Sequence, residues 1–208
     1  MRTLKLNRQP LNSEYYQGKW ISASPYGIKV FDKSGKALWS VKKPIKEATT
    51  QQASIPKSYQ SKIIENTLYN LEYAEGSQHL ELIARDLSGK EHWSTQTLRG
   101  YEKWEPCSLP YSKFNTAVIL LMEKQRTTSP VIGIGFIDLE TGVLSKIIPI
   151  SRTRDPFSKD RRYTDISNIA RFHDRFTSDE ASIYFYTGSG QIIKINALEE
   201  NIDWVTGY

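Results

Sequence analysis

Across 208 residues, 38% hydrophobic and 25% charged, the chain is too balanced for a disordered segment and long enough for one buried core or two small domains. A net charge of +5 spread along the chain is a weak footprint for a nucleic-acid binder, so nucleic acid is not the expected partner. No stretch approaches the roughly 20 apolar residues of a membrane-spanning helix, the first ten residues lack a signal-peptide core, and one cysteine, Cys107, leans toward a reducing compartment; the expected address is the cytoplasm, without a membrane.

Taken in chain order, the sequence predicts strands in groups. The first group offers Thr3–Asn7, Lys19–Ala23 and Ile28–Asp32, then a Lys33-Ser34-Gly35-Lys36 turn and Ala37-Leu38-Trp39. Lys19–Ala23 is closed by Ser24-Pro25-Tyr26-Gly27, a turn signal. The second group offers Ser61–Glu65, Thr67–Tyr73 and Leu82–Asp86, a Leu87-Ser88-Gly89-Lys90 turn, then Glu91-His92-Trp93. Tyr59, Ile63, Ile64 and Leu68 also follow a partial 3.6-residue period, so Lys57–Leu71 admits a short helix as the alternative. The third group offers Trp104–Leu109, Ala117–Met122 and Gly135–Asp138, a Leu139-Glu140-Thr141-Gly142 turn, then Val143–Lys146. Gly133 and Gly135 lie inside an apolar strand, where they mark close backbone approach or strong twist. The fourth offers Ile166–Phe172, Ser182–Tyr186 and Ile193–Asn196, a longer turn to Asn201, then Ile202-Asp203-Trp204.

The turn-opening residue recurs at 32, 86, 138 and 196, spacings of 54, 52 and 58, and a period of this size marks a repeat architecture. Asp accepts hydrogen bonds from turn amides, and Gly takes positive φ without a steric penalty. Trp39 and Trp93 follow the turn glycines by four residues, and are expected to be buried where they cover the junction with a neighbouring sheet. The expected fold class is all-β, a four-unit antiparallel meander. It forms a single domain over 1–208, with units near 1–52, 53–103, 104–152 and 153–208.

The pattern resembles the blade repeat of the quinoprotein-type β-propellers, in which an apolar strand ends in Asp, a Thr-Gly turn and a docking Trp. Asp138 to Gly142 has that turn length, with Lys146 in the Trp position. Asp32 and Asp86 open turns one residue shorter that keep Trp39 and Trp93. In the fourth unit Asn196 stands for Asp, Asn201 for Gly, and Trp204 falls one position early. The resemblance implies a β-propeller-like architecture of four blades, the low end for closure. It implies no quinone, because four units are too few for the eight-bladed enzymes.

No catalytic set assembles from the motifs. His79 and His92 read as half-exposed sheet residues, and Cys107 as a structural thiol. One cysteine and three scattered histidines lack metal-site spacing, so neither a metal nor another cofactor is expected. Arg152, Arg154, Arg161, Arg162 and Tyr163 form the densest basic and aromatic loop, the residue types that dominate binding interfaces. Arg171 and His173 alternate on one face of a possible strand and suit an anion or acidic partner. The expected function is a non-catalytic protein-binding module, most concretely a bacterial immunity protein that neutralises a cognate toxin domain. The alternatives are a carbohydrate or small-ligand binder, or an enzyme with dispersed residues.

Overall fold

The computed structural model describes residues 12–24, 27–42, 60–73, 79–95, 102–113, 116–124, 131–149, 176–178, 182–186 and 192–205. Among them the secondary structure is entirely β, in four antiparallel sheets. The first sheet runs in sequence order through β1 (Asn12–Tyr16), β2 (Lys19–Ser24), β3 (Gly27–Asp32) and β4 (Ala37–Lys42). The second runs through β5 (Gln60–Ile64), β6 (Thr67–Tyr73), β7 (Leu80–Arg85) and β8 (Glu91–Ser94). The third contains β10 (Tyr111–Lys113), β11 (Thr116–Glu123), β12 (Gly133–Asp138) and β13 (Leu144–Pro149), with β9 (Trp104–Pro106) pairing the far end of β11. The fourth contains β14 (Phe176–Ser178), β15 (Ser182–Tyr186), β16 (Ile192–Asn196) and β17 (Asn201–Val205).

One alternative left open by the sequence is decided by the structure. The helix admitted over Lys57–Leu71 is instead the β5–β6 hairpin, with Ile63 opposite Leu68 and Ile64 opposite Thr67. Ile64 and Leu68 are four apart, as on one helix face, but in the hairpin Leu68 pairs with Ile63 and Ile64 lies in the neighbouring row. The outermost described strand of the first sheet is Asn12–Tyr16; Thr3–Asn7 lies outside the described residues, as does Ile166–Phe172.

One acceptor oxygen organises each turn. Asp32 Oδ1 accepts from the Ser34 amide at 2.8 Å, the Ser34 hydroxyl at 2.6 Å and the Lys36 amide at 3.0 Å. Asp86 repeats this with Ser88 and Lys90, and Asp138 with Glu140 and Thr141. Asn196 Oδ1 accepts from the amides of Leu198 and Glu199. In the fourth turn the positive-φ residue is Glu200 (φ 52), aligned with Gly142 (φ 71), and not Asn201. Trp204 is therefore in register: it pairs with Lys194 as Lys146 pairs with Phe136. The last strand of every sheet then skips one residue. Leu38, His92, Ser145 and Asp203 have no opposite number, a β-bulge at the same place four times.

The chain divides into two compact units, Met1–Gln96 and Thr97–Tyr208. In the first, Ile21, Ile28, Val30, Leu68 and Leu82 are fully buried. The two sheets of this unit are joined by polar contacts as well: the Tyr16 hydroxyl donates to Asn66 Oδ1 at 2.8 Å, and the Ile63 amide to Glu14 Oε2 at 3.2 Å. Trp39 is half-buried rather than buried, but it does cover the junction. Its indole N–H donates to the Leu87 carbonyl at 3.3 Å, and its ring lies against Gly89, where a Cβ would come within 3.0 Å. Trp93 is also half-buried, 5.8 Å from the Tyr69 ring.

The second unit is built around β11, whose residues from Ala117 to Leu121 are all fully buried. Such a run without alternation belongs to a strand covered on both faces. Gly133 makes room for Trp104, whose ring would clash with a Cβ at that position. Cys107 is buried, its amide bonded to the Leu120 carbonyl at 2.8 Å. Tyr111 meets Phe185 edge-on at 4.8 Å, and the Ser145 hydroxyl donates to Glu200, so third and fourth sheets share both an apolar and a polar link.

Candidate functional site

The residues singled out from sequence for partner binding, Arg152, Arg154, Arg161, Arg162, Tyr163, Arg171 and His173, all lie outside the described residues. His92 is exposed at the second sheet's bulge, and His79 is half-buried just before β7. Among the described residues no three His, Cys, Asp or Glu side chains come together as a metal-binding group.

The surface that does stand out is on the first sheet. β1 and β2 are joined by Gln17 and Gly18, both at positive φ (46 and 77), as a type I′ hairpin turn requires. That turn puts Tyr16 opposite Lys19 and Tyr15 opposite Trp20. Gln17 tolerates the conformation while its side-chain amide donates to Asn66 Oδ1 at 3.1 Å. Alternation then sorts the sheet into two faces. Glu14, Ile21, Val30 and Trp39 form one cross-strand row, and Glu14 and Trp39 reach the second sheet. Tyr15, Trp20 and Phe31 form the neighbouring row, so they point the other way.

On that opposite face the rings of Tyr15 and Trp20 stand 4.7 Å apart, tilted by 46°. Tyr15 is 52% exposed and Trp20 49%, while Phe31 beside them is half-buried. Leu38, at the bulge of β4, is 45% exposed. Around the rings are Ser13, Ser40, Lys29 and Lys42, all exposed. Sequence reading placed Trp20 on a strand but gave it no role. The available signal was the Gln17-Gly18 pair, which fixes Tyr15 and Trp20 as partners across a two-residue hairpin.

A second aromatic pair lies in the other unit. Tyr184, Lys194 and Trp204 form one row of the fourth sheet, with the rings 6.1 Å apart and Trp204 41% exposed. Lys194 is bound at 3.0 Å to Asp203 on the same strand pair. This row is thus partly closed by its own ion pair, whereas the first sheet leaves its rings open.

The second sheet holds a buried ion pair. Glu72 is 2% exposed and contacts the Arg85 guanidinium, which also reaches Glu91 at 3.5 Å. Burial pushes the Glu72 carboxyl above its ordinary value, and Arg85 only partly pulls it back. Asn70, two residues earlier on the same face and fully buried, has no hydrogen-bond partner for either amide atom among the described residues.

No protein-family model matches the sequence, and no curated protein does. Solved structures match by shape. BamB from Moraxella catarrhalis is 14% identical with a TM-score of 0.51, over 91% of this chain and 50% of that one. A quinohemoprotein alcohol dehydrogenase from Comamonas testosteroni is 14% identical with a TM-score of 0.57, over 94% and 34%. A europium-containing methanol dehydrogenase is 11% identical with a TM-score of 0.56, over 95% and 43%. The chain spans half or less of the length of each. At these identities the likeness concerns fold alone, and the fold is all-β and propeller-like.

Proposed function

We propose that the chain is a non-catalytic protein-binding module, most concretely an immunity protein that binds and neutralises a cognate toxin in the cytoplasm. The observation that carries the reading is the half-exposed Tyr15–Trp20 pair on a regular sheet face. Aromatic rings left in water on a rigid scaffold are typical anchors of interfaces, where Trp and Tyr supply much of the binding energy. The 46° tilt between the rings offers no common plane for a sugar face, which favours a protein partner over a carbohydrate. We also read the four sheets as degenerate copies of the quinoprotein-type blade repeat. The shared Asp or Asn turn acceptor and the laying of Trp39 on the next sheet's turn support that.

The test is co-expression with a toxin domain encoded beside the gene, followed by purification on the toxin. The expected result is a stoichiometric complex that Trp20→Ala weakens at least tenfold, with unchanged circular dichroism. A complex that tolerates both Tyr15→Ala and Trp20→Ala would overturn this docking face, and absence of any complex would overturn the immunity reading.

A further inference from the structure

We infer that the Tyr15–Trp20 face binds an acidic polypeptide surface; the inference rests on the protein-binding reading and specifies its partner. Between Asn12 and Lys42 the chain carries five lysines, at 19, 29, 33, 36 and 42, and two carboxylates, Glu14 and Asp32. Both carboxylates are engaged elsewhere. Glu14 is in the row that meets the second sheet and accepts from the Ile63 amide. Asp32 Oδ1 accepts three hydrogen bonds inside its own turn.

The lysines are distributed the other way. Lys29 and Lys42 share the face of Tyr15, Trp20 and Phe31 by strand alternation and pairing, and both are exposed. Lys33 and Lys36 are exposed on the turn that closes the same strands. Ser13, Ser22 and Ser40 complete the cross-strand row of Lys29. The described residues of this face include aromatic rings, hydroxyls and cations, and no carboxylate.

A partner that covered the rings with an apolar or basic surface would desolvate or oppose these lysines. One that brings carboxylates around an apolar or aromatic centre would pair with them instead. Like charges across an interface are costly, and opposite ones raise the association rate. Lysine contacts at the rim steer, while the rings anchor. The two roles predict different symptoms on mutation.

A fluorescently labelled random glutamate–tyrosine copolymer is the probe, titrated with the intact chain and followed by anisotropy. Binding is expected to weaken as salt rises. Lys29→Glu with Lys42→Glu should reduce affinity at least tenfold and flatten the salt dependence. Trp20→Ala should reduce affinity while leaving the salt slope in place, because it removes an anchor and no charge. Circular dichroism of each variant identifies any that fail to fold, and Lys29→Gln with Lys42→Gln then serves as the milder pair. Copolymer affinity unchanged by the lysine replacements, or no binding at all, would overturn the inference. Capture of a toxin partner through Trp20 would still stand in that case, so the two failures are distinguishable. A labelled oligothymidylate that binds more tightly than the copolymer, through the same lysines and Trp20, would also overturn it and assign the face to single-stranded nucleic acid, whose bases stack on aromatic side chains.

Discussion

Alanine at Gly89 incurs two penalties at one atom. The backbone there sits at φ 94, a region in which a side chain is strained, and the new Cβ would come within 3.0 Å of the Trp39 ring. Gly35→Ala at φ 82 is the comparison for the backbone term. We expect Gly89→Ala to lower stability by about 1–3 kcal/mol, and to do so by less in a Trp39→Ala background, measured as a denaturant-unfolding cycle. Trp39→Ala alone should cost about 3 kcal/mol, the lower end for a large aromatic, because the ring is only half-buried. The turn carboxylates define a pH effect. Hydrogen bonds from the Ser34 side chain and the Lys36 amide hold Asp32 below its ordinary value, and the Ser88 side chain holds Asp86 and the Thr141 side chain Asp138 there likewise. A depressed folded-state pKa gives stability that is present above about pH 4 and is lost as the pH falls through the folded value. Carbon-detected NMR should find all three carboxyls titrating below free aspartate. Asp138→Asn should keep its turn, as Asn196 does, and remove its share of the acid sensitivity.

Within the second sheet the balance of burial and pairing runs the opposite way. The Glu72 carboxyl is raised chiefly by desolvation, with Arg85 opposing. The folded state therefore holds its proton longer than the unfolded one, and the contribution declines as pH rises from about 4.5 through the folded value. Glu72→Gln should flatten that slope in a stability–pH profile. Arg85→Ala should destabilise, because removing one partner strands a buried charge. Asn70→Leu tests its buried amide: with neither polar atom partnered among the described residues, an apolar side chain of similar size should raise stability by about 1–2 kcal/mol. The β7 and β8 strands and the Asp86 turn were legible in the sequence because period-2 alternation and Ser-Gly turns are local signals. The outcome at β5 was open because Ile64 and Leu68 have a helical spacing while Ile63 and Leu68 fit a hairpin, and only pairing decides between them. The fourth turn was misaligned because Glu200 adopts a conformation that sequence rules reserve for Gly or Asn. The Tyr15–Trp20 pair was missed for a related reason: Gln17 stands where Asn usually announces such a hairpin.

At the scale of the molecule, the period of 52 to 58 residues was enough to reach four sheets, since one meander of four short strands with its turns consumes about that length. The exposed Tyr15–Trp20 face was not accessible by the same route, because exposure depends on which face the rows of each strand present to the next sheet. Residues 1–96 form a compact unit whose two sheets are tied by Trp39, Tyr16 and Glu14. That fragment is expected to retain a β-type circular dichroism spectrum and a cooperative thermal transition. A featureless, non-cooperative melt would show that it needs the remainder of the chain.

The repeated bulge has a consequence for solubility. β4, β8, β13 and β17 each terminate their sheet, and a terminal strand exposes unpaired amides and carbonyls that can recruit another chain into a growing fibril. An extra residue bends that edge and spoils the continuous register such growth needs. At these four of the sheet ends among the described residues, Leu38, His92, Ser145 and Asp203 act as repeated breaks against edge-to-edge polymerisation.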